Sequence, residues 1–214
     1  MLLGLLILAQ AGRADEAAAL KLIEKWGGSV RRYTTPAGEP VVVVNLVRSP
    51  VTDTGLKELK GIKSLRTLNL MMTEVTDAGL KELKGIKSLR TLYLAETKVT
   101  DAGLKELKEL KGLQYLRLGG TKVTDAGMKE LKELKNLQQL DLDSTKVTDT
   151  GLKELKELKS LRELILNGTP ITDAGLKQLK ELKGLWELLL CDTKVTDAAV
   201  KELKAALPEL RIDR

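Results

Sequence analysis

The sequence predicts an α/β solenoid, with short parallel strands along one face and helices along the other. The triplet Val/Ile-Thr-Asp falls at 51, 75, 99, 123, 147, 171 and 195, and every interval is 24 residues. A fixed period in this range marks a stack of one repeated supersecondary unit. Each period changes its apolar rhythm: Leu89-x-x-Leu92-x-Leu94 alternates as a strand does, whereas Gly103, Leu104, Leu107 and Leu110 recur at helical spacing with Lys and Glu between them. Hydrophobic residues make up 43% of the 214-residue chain, but aromatics only 2%, with no Phe, so the core must be aliphatic.

In chain order, residues 1–14, MLLGLLILAQAGRA, come first. Leu2 to Ala9 form a short apolar run, and Ala9-Gln10-Ala11 and Gly12-Arg13-Ala14 offer small residues at signal-peptidase spacing. The segment resembles the end of a secretory signal peptide, although no Lys or Arg precedes the run; the alternative is an N-terminal helix extension. It is shorter than the ~20 apolar residues a membrane span takes. As a leader it implies export, periplasmic or secreted, with the mature chain starting after Ala11 or Ala14; otherwise the expectation is cytoplasmic. Residues 15–40 read as an N-terminal cap: a helix over 15–26, then a short strand and turn in GGSVRRYTTPAGEP, with Trp26 and Tyr33 packing the cap. Residues 41–206 carry the repeats, with strands expected near 41–46, 65–70, 89–94, 113–118, 137–142, 161–166 and 185–190 and a helix after each. Within one period Val99 follows a turn, Thr100 and Asp101 are good helix N-caps, and Gly112 ends the helix. No single period can bury its own leucines, and stacking sets Leu92 beside Leu68 and Leu116. Residues 207–214, LPELRIDR, read as a C-terminal cap: Glu209 stands where a strand Leu is due, and Pro208 and the charges suit a stop that blunts an open sheet edge.

The frame LxxLxLxxTxVTDAGLKELKxLKx, over residues 41–214, resembles leucine-rich repeat proteins. Its Val-Thr-Asp-x-Gly-Leu element is similar to that of the cysteine-containing subclass known from F-box substrate receptors. The 24-residue length and VTDAGLKELK resemble the repeat families of planctomycete-type bacteria. The resemblance implies a right-handed horseshoe arc with parallel strands on the concave face and helices on the convex face. One position departs from the family. Ser49, Thr73, Thr97, Thr121, Thr145, Thr169 and Thr193 stand where it has Asn or Cys, and their hydroxyls are expected to keep the turn ladder with fewer bonds per rung. Only about forty residues precede the repeats, without an F-box-like helical segment.

The copies differ mainly in their strands. The third positions read Val43, Thr67, Thr91, Tyr115, Gln139, Glu163, Glu187; the fifth read Asn45, Asn69, Tyr93, Arg117, Asp141, Ile165, Leu189; two further on come Val47, Met71, Ala95, Gly119, Asp143, Asn167, Cys191. With the leucines inward, these positions face the concavity. The expected partner-binding residues are therefore Tyr93, Tyr115, Arg117, Gln139, Asp141, Asp143, Glu163, Ile165, Glu187 and Leu189. Tyr93, Tyr115 and Arg117 cluster at the middle, Asp141, Asp143 and Glu163 form an acidic step beside them, and Ile165, Leu189 and Trp186 an apolar step beyond. A partner presenting a basic group next to an apolar or aromatic one would match this pattern. Neutral drift at solvent-facing sites is the competing explanation, but the helix surfaces are exposed too and have not drifted.

Other chemistries find less support. The chain has no His, which removes the commonest general base and metal ligand. A single Cys, Cys191, excludes an internal disulfide and a cysteine zinc cluster. No phosphate-binding glycine loop is present, and no cofactor is expected. The net charge of +6, from 36 basic and 30 acidic residues, is mild. The lysine row Lys57, Lys81, Lys105, Lys129, Lys153, Lys177 runs beside Glu58, Glu82, Glu106, Glu130, Glu154 on the helix face, away from the strand aromatics, which argues against nucleic acid. Asp141, Asp143, Glu163 and Asn167 could offer oxygens to calcium; an Arg117–Asp141 cross-strand pair is the plainer reading. The expected function is a non-catalytic, monomeric protein-protein interaction module that binds a protein or peptide on its concave face. The alternatives are a structural or envelope-associated spacer and, by analogy only, a substrate-recognition subunit of a ubiquitin-ligase-like complex.

Overall fold

The computed structural model describes residues 15–214, so the expected leader lies outside the described residues. Residues 15–25 are helical (α1). Strands β1 (Ser29–Thr34) and β2 (Pro40–Asn45) pair antiparallel around a turn. Each repeat then adds a helix and a parallel strand: α2 (Asp53–Leu56), β3 (Leu65–Asn69), α3 (Asp77–Leu83), β4 (Thr91–Tyr93), α4 (Asp101–Leu107), β5 (Tyr115–Arg117), α5 (Asp125–Leu131), β6 (Gln139–Asp141), α6 (Asp149–Leu152), β7 (Glu163–Ile165), α7 (Asp173–Gln178), β8 (Glu187–Leu189), α8 (Asp197–Ala206) and β9 (Arg211–Asp213). Tight 3-10 turns follow α2, α6 and α7. The nine strands among the described residues form one sheet in chain order, parallel from β2 onward. The chain is thus an α/β solenoid.

Register is carried by the repeated leucines. Leu68, Leu92, Leu116, Leu140, Leu164, Leu188 and Ile212 stand opposite one another on successive strands. Those from Leu68 to Leu188 have no exposed surface. Identical side chains in register fill identical spaces, so the aliphatic core runs from Ala19 of α1 to Leu210.

Four details differ from the expectation. Strands β4 to β8 span only three residues each, because the leading Leu of each motif belongs to a turn: the Leu89 N–H, for example, donates to the Ile86 carbonyl. The 207–214 segment does not stop short of the sheet. Pro208 and Glu209 make the turn, Leu207 and Leu210 are buried in place of the missing Leu, and β9 continues the ladder. Tyr33 is exposed at 56% and so does not pack the cap, whereas Trp26 lies against the core. Finally, the hydroxyls after the strands bond the turning backbone as expected but do not link rungs. Thr97 donates to the Leu94 carbonyl at 2.6 Å and Thr121 to that of Leu118 at 2.6 Å, each within its own repeat.

A different pair links the repeats. The Asp101 carboxylate accepts from the Thr124 N–H at 2.8 Å and from the Thr124 hydroxyl at 2.7 Å. The same two bonds recur from Asp53, Asp77, Asp125, Asp149 and Asp173 to the Thr of the next repeat. That Thr also caps its own helix: Thr124 Oγ1 accepts from the Ala126 N–H at 3.3 Å. The glycine two residues after the Asp leaves room for this latch. A Cβ on Gly127 would stand 2.5 Å from Asp101 Oδ1. At Gly55, with no preceding latch Asp, the space is taken by the Trp26 ring.

Candidate functional site: the strand face

The third and fifth strand positions form two continuous columns. Thr67, Thr91, Tyr115, Gln139, Glu163, Glu187 and Arg211 make one; Asn69, Tyr93, Arg117, Asp141, Ile165, Leu189 and Asp213 make the other. They point away from the leucine core, and most are half-buried against their neighbours. Adjacent rungs are ~4.8 Å apart, so each column is a row of touching side chains.

At the middle, the Arg117 guanidinium lies over the Tyr93 ring, 5.0 Å from its centroid, in cation–π geometry. Its Nε is buried with no hydrogen-bond partner among the described residues. The expected Arg117–Asp141 ion pair is not made among the described residues, although the two stand on adjacent strands. Asp141 Oδ1 instead accepts from the Asp143 N–H at 3.0 Å. Burial pushes the Asp141 carboxyl above the ordinary range, and the Asp143 N–H and the Arg117 charge offset this in part. Asn45 and Asn69 make the same local bond, accepting from the Val47 N–H at 3.1 Å and the Met71 N–H at 3.0 Å.

The acidic step is more satisfied than the sequence suggests. Gln139, itself buried, donates to Glu163 at 2.7 Å. Glu187 pairs with Arg211 at 3.6 Å, and Ser144 donates to Asp143 at 2.6 Å. Tyr115 leans toward the next rung, its hydroxyl 3.5 Å from Gln138 Oε1. Ile165 and Leu189 are neighbours in the fifth column. Trp186, 52% exposed, sits at a second position outside both columns and does not extend their apolar step. Asn167 Oδ1 is engaged by the Cys191 N–H at 2.9 Å. On the helix face, Lys60–Glu82 at 2.6 Å, Lys111–Glu133 at 3.0 Å, Lys135–Glu157 at 3.4 Å and Lys180–Glu202 at 2.7 Å bridge successive repeats. The lysine hydrogen bonds hold the Glu82, Glu133 and Glu202 carboxyls below their ordinary range. These lysines are occupied in exposed pairs that contribute little individually.

The sheet register and the inward leucines are those of one known repeat, and a leucine-rich repeat family model matches residues 62–84, 86–108, 113–132, 133–156 and 157–180, more than half of the chain. The chain belongs to the leucine-rich repeat family. Among solved structures it is similar to an internalin, InlF, from Listeria monocytogenes, at 18% identity and a TM-score of 0.58 over 79% of this chain and 52% of that one. It is also similar to internalin C2 of the same organism, at 26% identity and a TM-score of 0.62 over 79% of each chain. The chain thus spans about half the length of InlF, and at that identity the likeness speaks for the fold alone. No curated protein matches the chain. Leucine-rich repeat proteins are solenoids whose extended faces typically serve as protein-interaction surfaces. No described helix is long and apolar enough to cross a membrane.

Proposed function

We propose that this leucine-rich repeat chain is a non-catalytic module that binds a protein or peptide on its strand face, the concave side of the arc. One observation carries the reading. The latch and the leucines are copied from repeat to repeat, whereas the two strand columns change at nearly every rung and hold an aromatic–arginine pair at their centre. Tyr and Arg are the residue types that most often anchor interfaces. The site residues of this reading are Tyr93, Tyr115 and Arg117, flanked by Gln139, Asp141, Asp143, Glu163, Ile165, Glu187 and Leu189. A monomer suffices for it. The 24-residue period with Val-Thr-Asp-x-Gly-Leu supports a place beside the planctomycete-type repeats. The apolar run at Leu2–Ala9 supports export.

Two measurements test these statements. Tyr93→Ala combined with Tyr115→Ala is expected to weaken binding to an isolated partner by about 2 kcal/mol or more, the scale of interface hot spots. Lys105→Ala with Lys129→Ala on the helix face leaves it unchanged. Loss on the lysine change alone would move the site to the helix face. For export, N-terminal sequencing of protein from its own host is expected to read from the residue after Ala11 or Ala14; an intact Met1 recovered from the cytoplasm rejects it.

A further inference from the structure

The two halves of the strand face differ in charge and in hydrogen-bonding capacity. On the rungs from β1 to β5 the outward positions are Ser29 and Arg31, then Val43, Asn45 and Val47, Thr67, Asn69 and Met71, Thr91, Tyr93 and Ala95, and Tyr115, Arg117 and Gly119. Not one is a carboxylate, and two are arginines. Glu96 stands outside these columns, on the turn after β4. From β6 onward the same positions hold Asp141, Asp143, Glu163, Glu187 and Asp213.

The N-terminal half is also rich in unused donors. The Arg31 side chain is exposed and makes no hydrogen bond or ion pair among the described residues, unlike that of Arg32 beside it, which pairs with Glu16 at 3.1 Å on the other side of the sheet. Arg117 likewise donates to no described protein acceptor; Tyr93 and the packing around Nε hold its guanidinium flat. Asn45 and Asn69 spend their carbonyl oxygens on the Val47 and Met71 N–H groups, so their amide nitrogens are left as donors. Ser29, Arg31, Asn45, Thr67, Asn69 and Tyr93 line one shallow cavity of about 220 Å³. Arg31 and Arg117 stand at the two ends of this floor, four rungs apart, or roughly 19 Å at the usual strand spacing.

We infer that the N-terminal half of the strand face, from β1 to β5, is a docking site for an extended peptide rich in carboxylates. The inference rests on the strand-face reading above and names the partner's chemistry. It differs from the expectation of a basic partner, because the acids that suggested one are in large part satisfied within the chain. Planar guanidiniums recognise carboxylates through paired N–H donors. Arg117 Nε is already buried and the guanidinium stacks on Tyr93, so little side-chain freedom is lost when a carboxylate reaches its remaining N–H groups. The acidic half beyond β5 repels the same peptide and so fixes its register. Nucleic acid fits less well, since the floor offers two separated cations rather than a basic stripe with interleaved aromatics.

The test uses the full chain, short fluorescent peptides of alternating Glu and Ser, Gln and Ser, or Lys and Ser, and thymidine oligonucleotide, with anisotropy read at two salt concentrations. The Glu–Ser peptide is expected to bind at least about tenfold more tightly than the Gln–Ser peptide, and more weakly as salt rises. Arg31→Gln and Arg117→Gln are each expected to lower that affinity several-fold with melting curves unchanged, and Asp141→Asn to preserve or raise it. Equal binding of the Glu–Ser and Gln–Ser peptides, or indifference to both arginine changes, overturns the inference. Tighter binding of thymidine oligonucleotide overturns it in favour of a phosphate ligand. Preferred binding of the Lys–Ser peptide, abolished by Asp141→Asn with Glu163→Gln, also overturns it while leaving the strand face as the binding surface. If instead only Lys105→Ala with Lys129→Ala affects any probe, the strand-face reading fails as well.

Discussion

Asp141 shows how one residue can be right in shape and wrong in charge. Its carboxylate performs the same local task as the Asn45 and Asn69 amides, accepting from the N–H two residues on. An amide does this without a buried charge. Because burial raises the folded-state pKa of Asp141, ionisation is disfavoured in the fold: the penalty is present above that raised pKa and disappears as pH falls through it. Asp141→Asn removes the penalty at every pH. The variant is expected to be more stable than the parent at pH 7, by about 0.5 kcal/mol, with the difference shrinking toward acid pH. Denaturant midpoints at pH 7 and in acid check both parts; a less stable variant at pH 7 would show that the carboxylate contributes net stability through Arg117. Asp173 behaves oppositely. Its bonds from Thr196 hold its carboxyl below the ordinary range, so its contribution is lost as pH falls through the lowered pKa. Residue-scale strain lies elsewhere, on the turn after each strand. Arg48, Met72, Glu96, Ser144 and Asp192 occupy the left-handed region there at φ between 53° and 57°, while Gly120 and Gly168 do so at the equivalent repeat position without a side chain to crowd.

Among the elements, the helix N-terminus is where one repeat recognises the next. Asp, Thr and Gly act together. The Asp reaches forward to the Thr of the next repeat, the Thr caps its own helix, and the Gly keeps the space open. The last repeat supplies a natural control. Ala199 stands at the glycine position, and there Thr196 caps the Ala199 N–H instead of the N–H two residues on; its backbone has moved to φ −91° and ψ 159° from the φ −131° and ψ −172° of Thr124. A terminal helix can shift in this way, but one held between two neighbours cannot. Asp101 is pinned by two short bonds, so it yields poorly to a Cβ 2.5 Å from its Oδ1. Gly127→Ala is therefore expected to cost about 1–3 kcal/mol. Gly85→Ala, where a Cβ meets no atom of the described residues within 4 Å, is expected to be neutral or slightly stabilising. Equal denaturation midpoints for the two variants would remove the latch as the reason for the glycine.

At the scale of the whole molecule, stability is a sum over repeats and the interfaces between them. Leu116 is fully buried and stands in register between Leu92 and Leu140, so its loss opens a cavity facing two neighbours. Leu116→Ala is expected to cost about 2–5 kcal/mol, whereas Lys108→Ala, on the exposed helix face, stays within about 0.5 kcal/mol. Urea melts of both variants check this, and a shared midpoint would contradict core stacking. The helix-face Lys–Glu bridges add small, salt-screened terms.

Period, handover from strand to helix, and inward leucines were all legible in the sequence, because a 24-residue repeat stacks only if equivalent residues meet, and the chain displays its own equivalences. Which strand positions face outward was legible for the same reason, since alternation follows from the pleat. Tertiary structure alone decided who bonds to whom. The Asp–Thr latch joins residues 23 apart, and nothing within one repeat reveals that the Asp serves the next helix rather than its own. The hydroxyls of Thr97 and Thr121 turned inward because their own Leu carbonyls lie nearest. Pro208 and Glu209 read as a stop, but Leu207 and Leu210 restored the apolar contacts and the ninth strand formed. Charge on the strand face was the hardest to read. The sequence lists Asp141, Asp143, Glu163 and Glu187 as four acids, and only their neighbours in space, Gln139, Ser144, Arg211 and a backbone N–H, determine how much acceptor capacity they leave for a partner.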